Sequence, residues 1–252
     1  MSESKRILSP HVIVVIVAAG SGSRFGGDLP KQFCPICGRP VLMTTISRFG
    51  MALPNSEIIV VLSDNMSGKW HQLCDEHSFS VPHTVVGGGA TRFDSVNNAL
   101  NYLRGRGKGI FDNDILLVHD GARPNVSDAL IHRAVESLAD NDAAIPVVAV
   151  IDSLRMKNND GATSVADRSL FVAVQTPQAF RVKTIFDAYT KADRAASFTD
   201  DASVVEASGV RIGTFEGDYR NIKITNPADI AVAELFSVMI DGEEGLTDIP
   251  NQ

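Results

Sequence analysis

Val12-Ile13-Val14-Val15-Ile16-Val17 is an unbroken run of β-branched aliphatic residues that passes directly into Ala18-Ala19-Gly20-Ser21-Gly22. β-Branched side chains are restricted in helices and pack well on a pleated surface. A strand with no polar position has no face for water, so it belongs in a parallel sheet covered on both sides. Small residues at its carboxyl end let the backbone approach a ligand, where successive N–H groups form a nest for an anion. Arg24 and Lys31 add two cations to the same loop, which suits a polyphosphate.

The rest of the chain repeats this pattern. Strand-like apolar runs fall at 12–18, 57–62, 81–86, 114–119 and 143–150, and helical spacing falls at 41–51, 64–77, 92–103 and 127–139. Ser127 is the expected N-cap of the last of these helices. The alternation breaks over 151–173, where Lys157-Asn158-Asn159-Asp160-Gly161 is a turn signal between two short β-like runs, so a projecting hairpin arm is predicted. A helix at 182–195 and a strand at 210–215 follow. A closing helix at 227–239 has Ile230, Val232, Leu235, Phe236 and Met239 as its apolar stripe. The expected fold is α/β: a Rossmann-like, mostly parallel mixed sheet with helices on both faces, plus the arm. One domain is expected over 1–240, with a frayed acidic tail at 241–252.

Of 252 residues, 44% are hydrophobic and 21% charged, as in an ordinary globular protein. Lys plus Arg number 23 against 30 Asp plus Glu, a net charge of −7 that argues against non-specific binding to nucleic acid or an anionic membrane. No apolar stretch approaches the ~20 residues of a membrane span, and residues 1–10 have no apolar signal region, so a cytoplasmic protein is expected. Cys34-Pro35-Ile36-Cys37 is a CxxC, which His71, Cys74 and His77 could complete as a metal site. With no second CxxC, a proline-containing turn with reduced thiols is the preferred reading.

Ligands of open α/β sheets sit beyond the carboxyl ends of the strands, so the loops there carry most weight. The first loop lacks the Gly-Lys-Ser/Thr of a Walker A motif, and Phe25 occupies the third glycine position of a Rossmann fingerprint. Gly87-Gly88-Gly89 leads to Arg92 and Ser95, which lie within one helical turn. His119-Asp120-Gly121-Ala122-Arg123-Pro124 puts a carboxylate at a strand end, suited to a ribose hydroxyl or Mg²⁺, or to a structural pair with Arg123. Further loops carry Asp167-Arg168 with Gln175-Thr176-Pro177-Gln178, then Thr199-Asp200-Asp201-Ala202-Ser203, and finally Asn221-Ile222-Lys223-Ile224 with Lys223 alternating outward. Together they offer many cations and no convincing nucleophile–base pair. That fits phosphoryl or nucleotidyl transfer, in which the substrate supplies the nucleophile.

Seven motifs then stand in order between residues 18 and 227: Ala-Ala-Gly-x-Gly-x-Arg, Pro-Lys-Gln, Gly-Gly-x-x-Arg-x-x-Ser-Val, His-Asp-x-Ala-Arg-Pro, Gln-Thr-Pro-Gln-x-Phe, Thr-Asp-Asp-Ala-Ser and Asn-Ile-Lys-Ile-Thr-x-Pro. This order resembles the 2-C-methyl-D-erythritol 4-phosphate cytidylyltransferases of the non-mevalonate isoprenoid pathway. The resemblance implies a nucleotidyltransferase domain, CTP and a polyol phosphate as substrates, and Mg²⁺. It assigns Arg24, Lys31 and Lys223 to catalysis. Ala18, Ala19, Gly20, Ser21, Gly22, Gly88, Gly89, Ser95 and Asp120 are implied in nucleotide binding, with Asp120 facing the metal through water. Arg123, Ser153, Arg168, Thr199 and Lys223 are implied in acceptor binding, Ser153 and Arg168 reaching from the arm into the other subunit of a homodimer. Ala90 stands where many members have Asp or Glu, Cys34 and Cys37 replace less reactive residues, and Ser153 stands for a more usual Thr. Ribitol-5-phosphate cytidylyltransferases share the first three loops and are the rival on the acceptor side. A nucleotide-binding regulatory module is the non-enzyme rival.

Overall fold

The first strand forms as expected: β1, Val12–Val17, has alternating side chains that define the layers of the molecule. Val14 and Ile16 enter the core on one face of the sheet and Ile13 and Val15 the core on the other. The computed structural model describes residues 10–20, 29–106, 109–193 and 196–245. After β1 come β2 Pro35–Ile36, β3 Arg39–Pro40, α1 Val41–Ala52, β4 Glu57–Leu62, α2 Asp64–Glu76, β5 Thr84–Gly87, α3 Arg92–Gly105, β6 Ile115–Asp120 and α4 Asp128–Glu136. The chain continues through β7 Ala143–Ala149, β8 Leu154–Lys157, β9 Thr163–Ala166, β10 Val172–Val174 and β11 Gln178–Arg181. It ends with α5 Val182–Lys191, α6 Asp201–Ala207, β12 Gly213–Glu216 and α7 Ala228–Glu243.

β1 lies between β4 and β6, parallel to both, and β5 extends the sheet beyond β4. Val17 stands level with Val61 and with Asp120, so these strands end at one edge and deliver their loops there together. Past β6 the sheet turns antiparallel, because β11 pairs with both β6 and β7. Ala144 pairs with Ala179 on one side and Gly213 on the other, which puts β12 parallel along the far side of β7. Leu42, Ile46, Trp70 and Leu130 from α1, α2 and α4 cover one face. Val96, Leu100, Ile185 and Val205 from α3, α5 and α6 cover the other. The fold is thus the expected mixed α/β sheet with helices on both faces. The arm is the separate β8–β9 ribbon, paired from Leu154↔Ala166 to Lys157↔Thr163. No described helix is long and apolar enough to cross a membrane.

The structure departs from the sequence expectation in several places. β11, which the sequence presents only as a loop motif, is the strand that joins the two halves of the sheet. The run at 81–86 becomes a strand only from Thr84, since Pro82 lacks a ladder donor and the indole N–H of Trp70 donates to His83 Nε2 at 3.0 Å. In α7 the expected stripe is not the buried one: Ala233, Ser237 and Ile240 face inward, while Val232 and Leu235 are 43% and 61% exposed. Small residues win that face because Asn125 reaches the Ala233 carbonyl at 3.0 Å and Ser237 Oγ at 2.9 Å, which demands a close approach.

The expected tail also begins inside this helix. Arg48 of α1 is buried and pairs with Asp241 and, at 3.0 Å, with Glu244, whose carboxylate also accepts from the Asp128 N–H at the start of α4. Residues 246–252 lie outside the described residues. Removing the cation from a largely buried pair leaves its carboxylates uncompensated. Arg48→Ala is therefore expected to lower stability by about 2–3 kcal/mol, discounted for the partly exposed Asp241, and urea unfolding measures it. An unchanged midpoint would mean that the last turn of α7 is not fastened by Arg48.

Candidate active site

Asp120 closes β6 at the carboxyl edge of the sheet, and its side chain is only 12% exposed. Lys223 Nζ lies 2.8 Å from its Oδ2, Arg123 Nε 3.7 Å from the same oxygen, and Arg92 Nε 3.5 Å from Oδ1. Burial alone would raise the Asp120 carboxyl, but the charges of Arg92, Lys223 and Arg123 overcome it and hold the group below the usual carboxylate range. Arg92 also reaches the fully buried Asp201 at 2.7 Å, and the Tyr189 hydroxyl donates to Asp201 at 2.7 Å. Three cations thus face two carboxylates, leaving a surplus positive charge at the mouth of the sheet.

Each cation is delivered by a different device. Arg92 opens α3, whose start is fixed by a capping box: the Thr91 hydroxyl accepts from Asp94 N–H while the Asp94 carboxylate accepts from Thr91 N–H. Arg123 donates from Nη1 to the Asn221 carbonyl at 2.7 Å, which turns its guanidinium along the edge of the sheet. Lys223 projects outward because Ile222 and Ile224 on either side pack inward, as the alternation predicted, and Ile224 N–H donates to the Ala122 carbonyl. Lys31 donates to the Ile224 carbonyl at 2.8 Å. The first loop and the last loop of the site therefore meet, although Lys31 and Lys223 are far apart in sequence.

Ala18 and Ala19 follow β1 as expected, and Gln32 ties the loop down: its amide donates to the carbonyls of Ala18 at 2.8 Å and Gly20 at 3.3 Å. Ser21, Gly22 and Arg24 lie outside the described residues. Gly88 and Gly89 serve internal packing first, since a Cβ at Gly88 would stand 2.5 Å from Ala19 Cβ and one at Gly89 2.3 Å from Asp94 Cβ. Asn98 donates to the Gly87 and Gly88 carbonyls, fixing the loop from below. Ser95 is buried, accepts from Gly89 N–H and donates to the Thr91 carbonyl, so its hydroxyl braces the glycine loop. Thr199 is exposed just before Asp200, which caps α6 and is itself held by Gln178 at 2.7 Å. Ser153 and Arg168 come together on the arm around a hollow lined only by arm residues, and Arg168 donates to the Ile151 carbonyl.

Sequence reasoning gave no individual role to Gln32, Asn98, Thr176 and Asn221; the structure ties Gln32 and Asn98 to the loops and brings Thr176 to Asp120 and Asn221 to Arg123. Gln32, Thr176 and Asn221 stand inside three of the motifs quoted above, whereas Asn98 carries no such signal. His119 stands inside a fourth motif, as the polar residue ending the otherwise apolar run of β6 before Asp120, and it is completely buried. Burial pushes the His119 imidazole down to about 4, so it is neutral. The CxxC forms the β2–β3 hairpin, with Cys37 and Gly38 both at positive φ in its two-residue turn. Burial raises the thiols of Cys34, Cys37 and Cys74, and among the described residues no group of His, Cys, Asp or Glu is placed to hold a metal.

A sequence model of the family described as 2-C-methyl-D-erythritol 4-phosphate cytidylyltransferase matches residues 12–238. The curated protein of that name from Bacteroides thetaiotaomicron is 45% identical over 219 residues, covering 87% of this chain and 96% of that protein. Its counterpart from Phocaeicola vulgatus is 41% identical over 223 residues, 88% of this chain and 98% of that one. Among solved structures, the protein of the same name from Thermus thermophilus is 29% identical with a TM-score of 0.73, over 91% of this chain and 100% of that chain. The match runs through every strand that delivers a loop to the cation-rich edge, and the chain belongs to the 2-C-methyl-D-erythritol 4-phosphate cytidylyltransferase family.

Proposed function

We propose that this chain transfers the cytidylyl group of CTP to 2-C-methyl-D-erythritol 4-phosphate, giving 4-diphosphocytidyl-2-C-methyl-D-erythritol and pyrophosphate for isoprenoid synthesis. The observation that carries the residue assignments is the set of cations around Asp120, with Lys31 drawn beside it through Ile224. A phosphate acceptor brings its own nucleophile, so the protein has only to position two anions and absorb charge. An acceptor oxygen bonds to the α-phosphorus of CTP as the bond to the αβ-bridging oxygen breaks, and that oxygen leaves on pyrophosphate. Lys31 and Arg24 take up the charge that grows on the α-phosphate and the leaving group.

The backbone of 18–22 and the Gly88–Gly89 loop, braced by Ser95, hold the nucleotide, and Asp120 faces the ribose. Arg123, Thr199 and Lys223 hold the acceptor, together with Ser153 and Arg168 from the arm of a second subunit. A homodimer is supported by the arm itself: Met156, Val165 and Leu170 are 62%, 79% and 80% exposed in the single chain, an apolar surface that calls for a cover. Mg²⁺ has no cage of protein ligands among the described residues, and Asp120 is a single carboxylate hemmed in by cations. Such a donor set fits a Mg²⁺ that keeps its waters and is carried by the triphosphate, with Asp120 meeting it through water. The ion neutralises part of the triphosphate charge. The small, soluble substrates are consistent with work in the cytoplasm, and neither nucleic acid nor membrane is a partner.

Pyrophosphate release with CTP and a panel of polyol phosphates tests the reaction, and methylerythritol phosphate is expected to be the fastest acceptor. Turnover of ribitol 5-phosphate with none of methylerythritol phosphate would overturn the acceptor assignment. Lys31→Ala is expected to lower turnover by more than about 100-fold, the scale of one lost transition-state charge contact. An unchanged rate would remove Lys31 from the chemistry. For the arm, inactive Arg168→Ala and Lys31→Ala subunits mixed under conditions of subunit exchange should recover part of the activity. No recovery after demonstrated exchange would rule out a site shared between subunits.

A further inference from the structure

His119 occupies the floor beneath the cation cluster, and its contacts form a circuit. Its Nε2 lies 3.1 Å from the Arg123 carbonyl, its Nδ1 3.0 Å from Thr176 Oγ1, and Asp120 N–H donates to the same Oγ1 at 3.1 Å. The partner of Nε2 fixes the tautomer. A carbonyl can only accept, so Nε2 carries the proton. Nδ1 of the neutral ring is then the acceptor, and the Thr176 hydroxyl donates to it while accepting from Asp120. Thr176 is held in turn by the Asn221 side chain, which donates to its carbonyl at 2.7 Å, and the Asn221 carbonyl accepts from the Arg123 guanidinium. The edge of Phe49 packs on the imidazole, with ring centroids 4.9 Å apart, and locks its plane.

We propose that His119, in its Nε2–H tautomer, is a positioning residue that couples Asp120 to Arg123 through Thr176, and so aims Arg123 at the acceptor phosphate. This rests on the reaction proposed above. Arg123 Nε stands 3.7 Å from Asp120 while Lys223 stands at 2.8 Å, so Arg123 is not collapsed onto the carboxylate. Its main chain is bonded by His119 and its guanidinium by Asn221, so the residue is held at both ends. Buried hydrogen bonds in a low local dielectric polarise one another, so the contacts that join Asp120, Thr176, His119 and the Arg123 carbonyl are coupled.

The test uses the full-length enzyme with Thr176→Val, Thr176→Ser, His119→Phe and the double variant His119→Phe/Thr176→Val. We expect Thr176→Val and His119→Phe each to lower kcat/KM for the acceptor roughly tenfold, the scale of one or two lost hydrogen bonds, with KM for CTP changed less than about twofold. Thr176→Ser should recover most of the loss, and the double variant should be no worse than the poorer single variant. Should His119→Phe fail to fold, the Thr176 pair carries the kinetic test. In parallel, nitrogen NMR of histidine-labelled protein reads the tautomer directly, with a protonated Nε2 and a bare Nδ1 that shifts in Thr176→Val. A protonated Nδ1 overturns the inference, as do additive losses or equal losses for CTP and acceptor. A wild-type enzyme inert toward the acceptor panel would overturn the reaction instead, and the NMR result would still decide the circuit.

Discussion

A carboxylate at the end of a central strand is costly to bury unless cations meet it, and Asp120 is met by three. These come from the start of α3, from the turn after β6 and from the segment before α7, so one charge fixes where three distant stretches of chain must converge. Asp201 repeats the device one shell further out: it is fully buried, takes Arg92 at 2.7 Å and is supported by Tyr189. The outcome is an edge whose cations are already ordered and partly neutralised before any ligand arrives. In the proposed site, binding a phosphate there would exchange one set of anionic oxygens for another rather than bring loose cations together, and little side-chain entropy would remain to be lost.

The sheet makes this convergence possible. Parallel strands that finish level at Val17, Val61 and Asp120 release their loops side by side, and small residues let those loops touch. A Cβ on Gly88 would strike that of Ala19, and one on Gly121 would stand 2.9 Å from that of Ala18. The Ala-Ala-Gly run therefore does two jobs. It lets the second and third loops close against the first, and in the proposed site it would also leave room for a ligand beside the backbone. A larger side chain at Ala18 or Ala19 would separate the loops before it obstructed any substrate.

Much of this was legible because the buried parallel strands are nearly pure aliphatic runs, and the loops at their carboxyl ends carry charged residues that no core would accept. What was not legible depends on distance or on fit. β11 is a four-residue strand bearing Gln178 and Arg181, and its partners Leu117 and Ala144 lie far off in sequence, so no local period reveals it. In α7 the larger apolar residues suggested the buried face, but a close approach by Asn125 selected alanine and serine instead. Ser95 fitted a ligand contact by spacing, and only the structure shows its hydroxyl spent on Gly89 and Thr91. His119 was visible as a polar break in an apolar run, yet its orientation depends on Thr176, a residue more than fifty positions away.

The arm follows the same logic of shared surfaces. Its base is closed by β10 pairing with the end of β7, from Val172↔Ala149 to Val174↔Val147, so its direction is set by the main sheet. Its own ribbon of two strands makes no ladder with that sheet, and an isolated two-stranded ribbon is only marginally stable in water. The apolar side chains along it are exposed in one chain, while Ser153 and Arg168 are gathered around a hollow at its side. In the proposed dimer the partner that covers the apolar face is also the one that receives Ser153 and Arg168. Ordering the arm and completing the acceptor side of the site then become a single event, and the stability of the dimer and the affinity for the acceptor are linked through the same contacts.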